Sequence, residues 1–212
     1  MADTYRTVGG RGQTRFTVQG SEFIGHVAPA ESVDAAESFI EEIQEEYDDA
    51  THNVPAYRVP AEPTAGGSTD EGFLREYASD ADEPSGSAGK PALNVLQGQE
   101  LRNVVVVITR YYGGTNLGIG GLARAYARAT TDAITDAGVI EERPHERFAI
   151  AVAYDDSGTV RSILESADVE FDADYEADVR FTVRVPLETA ADLRDRLRSA
   201  TSNRVQFPDQ GR

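Results

Sequence analysis

Five consecutive apolar β-branched residues, Val104–Ile108, constrain this chain more than any other stretch. They read as a fully apolar strand, buried and running from about Asn103 to Arg110. Tyr111 and Tyr112 end it. A glycine-rich loop follows, with Gly113, Gly114, Gly118, Gly120 and Gly121. A helix is then predicted from about Gly121 to Asp136, with Leu122, Ala125, Tyr126, Ala129, Ala133 and Ile134 on one face. Its small side chains suit close packing, and Gly138 reads as its C-terminal cap.

The charge pattern breaks in the same region. The 212 residues hold 37 acidic and 20 basic side chains, a net charge of −17, and Lys90 is the sole lysine. An acidic chain ordinarily repels nucleic acid. Few lysines among many carboxylates, however, is the halophilic composition expected in molar intracellular salt. At about 1 M salt the Debye length is only about 3 Å, so the charge total says little about partners. Between Glu83 and Asp132 there is one acid, Glu100, against about eight at the chain average. The same window carries Lys90, Arg102, Arg110, Arg124 and Arg128. A buried core would also lack acids, but basic residues beside a glycine loop point to an anion-facing surface.

Composition excludes several classes. With no cysteine there is no thiolate nucleophile, disulfide scaffold or Cys-ligated metal centre. No apolar run reaches the ~20 residues that span a bilayer. Met1 to Val18 lacks a signal-peptide pattern. A soluble, cytoplasmic chain with no membrane partner is expected.

Along the chain, Thr14–Val18 is a short strand candidate. Ser32 caps a predicted helix to about Tyr47, with Ala36, Phe39, Ile40 and Ile43 inward and Glu37, Glu41, Glu42, Glu45 and Glu46 solvated. Pro60–Asp70 reads as an exposed loop, and Pro91–Gln97 as a short helix. Residues 1–138 form one predicted domain, 139–145 a linker and 146–212 a second domain. In the second, strand Phe148–Tyr154, helix Thr159–Ser166, strands Val169–Tyr175 and Val179–Val185 about a Glu176-Ala177-Asp178 turn, a helix with Leu187, Leu193 and Leu197, and strand Val205–Phe207 give β-α-β-β-α-β. That is the ferredoxin-like order. If Tyr175 faces Val179, Asp174 meets Arg180 and Glu170 meets Arg184, favourable cross-strand pairs.

Familiar chemistries fit poorly. In Gly86-Ser87-Ala88-Gly89-Lys90-Pro91, a Walker A loop is spoiled by Pro84 at the first glycine position and Pro91 at the magnesium-binding one. Gly118-x-Gly120-x-x-Ala123 matches a degenerate dinucleotide fingerprint, with Glu141 about 20 residues on, but its first glycine lies too far from the strand end. His26, His52 and His145 lack metal-pair spacing, and His52 reads as a satisfied loop residue. Ser85 and Ser87 have no evident base. Asp80, Asp82 and Glu83 could hold a divalent metal or simply form an acidic loop. The glycines could seat an anion on helix-start N–H groups, with Arg110 and Arg124 reaching it, or merely permit tight packing. One of Tyr111 and Tyr112 could offer a ring for base stacking.

Asp82-Glu83-Pro84-Ser85-Gly86-Ser87-Ala88-Gly89-Lys90-Pro91, Thr109-Arg110-Tyr111-Tyr112-Gly113-Gly114 and Leu117-Gly118-x-Gly120-Gly121-Leu122-x-Arg124-Ala125-Tyr126 resemble the signature of the IMPACT/YigZ family. Val95-Leu96-Gln97-Gly98, Ser21–His26 and Ala50–Asn53 are similar to it too. The resemblance covers about residues 10–137. It implies an α+β fold of two domains: an N-terminal α/β sandwich like domain IV of elongation factor G and a C-terminal ferredoxin-like domain like its domain V. It further implies a translation-linked role. The family's His–Cys–Trp-like stretch is Asn53-Val54-Pro55 here, and the kinase-restraining role of eukaryotic relatives uses a domain absent from this sequence.

The expectation is therefore a regulatory protein that binds RNA or the ribosome, with a protein partner in translation as a further option. The expected site comprises Ser85, Gly86, Lys90, Arg110, Tyr112, Gly113, Gly114, Gly118, Gly120, Gly121 and Arg124. No catalytic residue, metal or cofactor is assigned. The alternative is an enzyme on a small phosphorylated or nucleotide ligand, for which Asp82 or Glu83 would converge with Arg110 in a deep cleft.

Overall fold

In the computed structural model, which describes residues 4–61, 73–175 and 178–208, the Val104–Ile108 run is the middle strand of a five-stranded sheet. The chain divides into two compact units, Tyr5–Glu142 and the part from Arg143 onward. The first contains β1 (Tyr5–Val8), β2 (Gly12–Val18), β3 (Ser21–Pro29), α1 (Val33–Glu46), β4 (His52–Pro60), β5 (Leu74–Ala78), α2 (Gly89–Gly98), β6 (Val104–Tyr111), α3 (Gly118–Ala137) and β7 (Val139–Glu142). The sheet order is β2-β3-β6-β4-β5, every neighbour antiparallel.

Both faces of β6 are covered over Val104–Ile108, which is why this stretch is wholly apolar. Val104, Val106 and Ile108 join Leu96 of α2 and Leu122 and Tyr126 of α3 in one cluster. Val105 and Val107 join Phe39, Ile40 and Ile43 of α1 in the other. As expected, Ser32 caps α1, its hydroxyl accepting from Ala35 N at 3.1 Å, and the glutamates face solvent. The small-residue face of α3 lies directly on the sheet. A Cβ on Gly25 of β3 would stand 2.6 Å from the Ala129 carbonyl oxygen, so nothing larger than glycine permits this approach.

The second unit contains β8 (His145–Val152), α4 (Tyr154–Ser166), β9 (Glu170–Tyr175), β10 (Val179–Pro186) and α5 (Leu187–Ala200). Its sheet is β8-β10-β9, and Gln206 bridges Ala151 beside β8, completing the ferredoxin-like order. The register is the anticipated one: Tyr175 opposite Val179, Asp174 opposite Arg180, Glu170 opposite Arg184.

Several expectations need correction. Helix α4 begins at Tyr154, five residues before the predicted Thr159 and at the residue predicted to end the preceding strand. The strand predicted at Val205–Phe207 is a single bridge at Gln206, and Pro208, with no N–H to donate, follows at once. The stretch predicted as a linker, 139–145, begins as β7, paired with β1 from Tyr5↔Glu142 to Val8↔Val139. Helix α3 starts at Gly118, three residues early, because packing of Leu122 and Tyr126 carries the helix through glycines whose propensity argues against it. His52 opens a strand instead of lying in a loop. Residues 62–70 of the predicted Pro60–Asp70 loop, and 176 and 177 of the predicted turn, lie outside the described residues. No described helix is long and apolar enough to cross a membrane.

Candidate functional site

Strand β6 carries Arg110 to the sheet end beside the glycine loop, but its guanidinium turns inward. Arg110 is 4% exposed. Its Nη1 donates to Glu83 Oε1 at 2.6 Å and its Nη2 to Ser21 Oγ at 3.2 Å. Glu83 Oε1 also accepts from the Tyr126 hydroxyl at 2.7 Å and lies 3.8 Å from His52 Nε2. His52 Nδ1 in turn donates to the Ala81 carbonyl at 2.7 Å. Burial, and then the bond to Glu83, push the Tyr126 phenol far above its ordinary range, so it stays a donor. The guanidinium packs against the rings of Phe23 and Tyr112, with centroid distances of 5.5 and 5.4 Å.

This arrangement corrects the role expected of Arg110. It was expected to grip a phosphate, yet its charge is already matched by a buried carboxylate, the condition on which an arginine is tolerated in an interior. Glu83 and Arg110 converge, as the enzyme alternative required, but inside the protein, with side chains 3% and 5% exposed. The acidic loop is likewise occupied by structural bonds. One Asp80 oxygen accepts from Gly86 N at 2.7 Å, the other from Ala88 N at 3.0 Å and Gly89 N at 2.9 Å. The N-terminus of α2 is thus filled by an anion from its own chain. Among the described residues no cluster of three or more His, Asp or Glu side chains could hold a metal.

Asp80 gives a direct stability prediction. Burial raises its pKa, but the three amide bonds outweigh that and hold the carboxyl below its ordinary value of 3.8. Asp80→Ala is expected to cost about 1–3 kcal/mol near neutral pH, the scale of a lost cap with stranded amides. A depressed folded pKa means that this stabilisation is complete above the ordinary value and disappears as the pH falls through the folded one. The gap in urea midpoint between wild type and Asp80→Ala should therefore close between about pH 5 and the acid limit.

Helix α3 differs in one respect. Like α2 it has no side-chain cap from its own N-cap residue, here Leu117, and no acid in its first turn. Among the described residues, however, no distant carboxylate takes the place that Asp80 takes on α2. Gly118 and Gly120 are exposed there, as are Gly113 and Gly114 in the preceding loop. The Arg124 guanidinium lies over Gly120, with Nη1 3.5 Å from where a Cβ would stand. Arg124 and Lys90 form no ion pair among the described residues. Tyr112 is 46% and Ile119 64% exposed. Tyr111 instead donates its hydroxyl to Asp49 at 2.6 Å, leaving Tyr112 as the presented ring.

The predicted site thus separates into layers. Arg110 is buried beneath Tyr112 and Gly113. Gly114, Gly118, Gly120, Gly121 and Arg124 form the loop and helix start, while Ser85, Gly86 and Lys90 belong to the loop and helix start that Asp80 closes. Ser21, Glu83 and Tyr126 are supporting residues that sequence patterns did not mark as such. Residues 19–134 match the Impact N-terminal domain, a span running from the β2–β3 turn nearly to the end of α3. The chain belongs to the IMPACT family. That IMPACT match holds both the buried network and the open helix start. Residues 150–204 match a domain of unknown function (DUF1949).

Two bacterial members of the family are similar over most of their length. IMPACT family member YvyE of Bacillus subtilis is 32% identical over 186 residues, 87% of this chain and 81% of the relative. IMPACT family member YigZ of Escherichia coli is 30% identical over 191 residues, 90% of each chain. A crystal structure of a hypothetical protein superposes with a TM-score of 0.66 at 26% identity, covering all of both chains.

Proposed function

We propose that this IMPACT-family chain is a cytoplasmic, translation-linked regulatory protein that binds RNA or the ribosome at its glycine loop. A phosphate sits on the free N–H groups at the start of α3, clasped by Arg124, and an unstacked base packs on Tyr112. One contrast carries this reading. Two helices of the same unit begin near glycines; one start is filled by Asp80, and at the other, among the described residues, no carboxylate fills the helix start or pairs with Arg124. The resemblance to domains IV and V of elongation factor G supplies the translation context. Lys90, exposed in the first turn of α2, adds a second cation in the same acid-poor window.

Co-sedimentation with ribosomes, or titration of single-stranded RNA, across a salt series tests this. Arg124→Ala should weaken binding about tenfold and flatten the slope of log affinity against log salt by about one. Lys90→Ala should flatten the slope with a smaller loss. Binding that is the same in both variants at every salt concentration would rule out this surface.

A further inference from the structure

The loop bearing Tyr112 and Gly113 hangs from two hydroxyls. Thr51 Oγ1 accepts from Tyr112 N at 2.9 Å, and Ser21 Oγ accepts from Gly113 N at 3.2 Å. Ser21 is fully buried, and its oxygen also accepts from Arg110 Nη2. The same guanidinium underlies the exposed ring of Tyr112. Below it the stack continues inward through Phe23 to Tyr126, whose rings meet edge to face at 5.4 Å. Tyr126 and Arg110 then close on one oxygen, Glu83 Oε1.

We propose that Glu83 is a positioning residue for the glycine loop. Its buried carboxylate fixes the plane of Arg110, and Arg110 fixes the Ser21 hydroxyl, the Gly113 backbone and the Tyr112 ring in the geometry that meets RNA. The inference rests on the RNA reading and deepens it.

The chemistry of the pair supports the assignment. A buried ion pair adds little that an apolar pair of similar volume would not, as far as the core is concerned. An apolar pair cannot donate to Ser21 or present a cation to an aromatic face. The planar fork of arginine does both while pairing with a carboxylate, which lysine cannot match. Among the described residues Arg110 Nε has no hydrogen-bond partner, so the bonds of Nη1 and Nη2, with the flanking rings, set the orientation of the guanidinium. Glu83 is itself anchored, its N–H donating to the Asp80 carbonyl at 2.9 Å, so the loop that Asp80 closes is tied to the glycine loop through this one side chain.

Residue-resolved amide exchange of the full chain tests the proposal, with RNA titration alongside. The variants are Glu83→Gln, Arg110→Lys, the apolar double replacement Glu83→Met with Arg110→Met, and Arg124→Ala as a control on the RNA reading. The double replacement keeps the core filled, so it decides the matter even if Glu83→Gln fails to fold. The expected result is at least tenfold faster exchange at Tyr112 and Gly113 in the first three variants, with Val105–Val107 as slow as in the wild type. RNA affinity falls with it. Unchanged exchange at Gly113 in the double variant overturns the proposal and leaves the RNA reading standing. Faster exchange with undiminished RNA affinity, where Arg124→Ala does lose affinity, also overturns it. If Arg124→Ala binds RNA like the wild type, the RNA reading fails, and Gly113 exchange still decides whether Glu83 holds the loop.

Discussion

Glu83→Ala is expected to destabilise the N-terminal unit by about 3–5 kcal/mol, the cost of breaking a buried pair by removing one partner. The loss has two parts. Arg110, 4% exposed, keeps its charge with no carboxylate to meet it, and the buried Tyr126 hydroxyl loses its acceptor. A fall in Tm of roughly 10 °C or more should follow. There is no tryptophan, so far-UV circular dichroism or tyrosine fluorescence reports the transition. The contrast lies in the pair: Glu83→Met together with Arg110→Met should lose only about 1–3 kcal/mol, because no buried charge is stranded and what remains is the Tyr126 hydroxyl without its acceptor. A Glu83→Ala protein that melts with the wild type would mean that Arg110 reaches water.

Gly113→Ala should be the other severe change, for a steric reason. Its Cβ would lie 1.9 Å from the Gly20 carbonyl carbon, 2.0 Å from the Gly20 oxygen and 2.3 Å from Ser21 N. All three are backbone atoms at the turn joining β2 to β3, so no side chain can rotate away. The loop must lift off instead, breaking the bond from Gly113 N to Ser21. The cost belongs at or beyond the upper end of the ~1–3 kcal/mol typical of overpacking. Gly114 next door is the control. A Cβ there meets nothing within 4 Å, but its φ of +84° strains any other residue, so Gly114→Ala should cost only about 1 kcal/mol. Urea midpoints of the two variants give the comparison directly.

What could be read before the structure was what local periodicity encodes. Ser32 and the 3.6-residue spacing of Ala36, Phe39 and Ile43 located α1, and strict alternation on either side of residues 176–178 located the β9–β10 register to the residue. The glycine loop and its following helix were legible from Val104–Ile108 onward. The inward turn of Arg110 was not. Its partner is 27 residues away in sequence and on a different loop, and an arginine at a strand end looks the same from sequence whether it faces solvent or core. The occupation of the first loop by Asp80 was hidden for a similar reason: six to nine residues separate the carboxylate from the amides it accepts, and no helical or strand period links them. That Arg124 lies over Gly120 follows from their four-residue separation on one helix.

The central place of β6 bears on how the chain comes to be folded during synthesis. Its two neighbours, β3 and β4, are made long before it: Pro29 pairs with Val104 and Arg58 also pairs with Val104. Until residue 111 leaves the ribosome, both earlier strands have an open edge where β6 belongs, and pairing at such sequence separation is slow. The unit then still waits for β7, whose residues 139–142 close on the first strand. A pause in translation between residues 60 and 104 would therefore hold two unpaired strand edges in the open, which makes that interval the one in which a nascent chain of this fold most needs a chaperone.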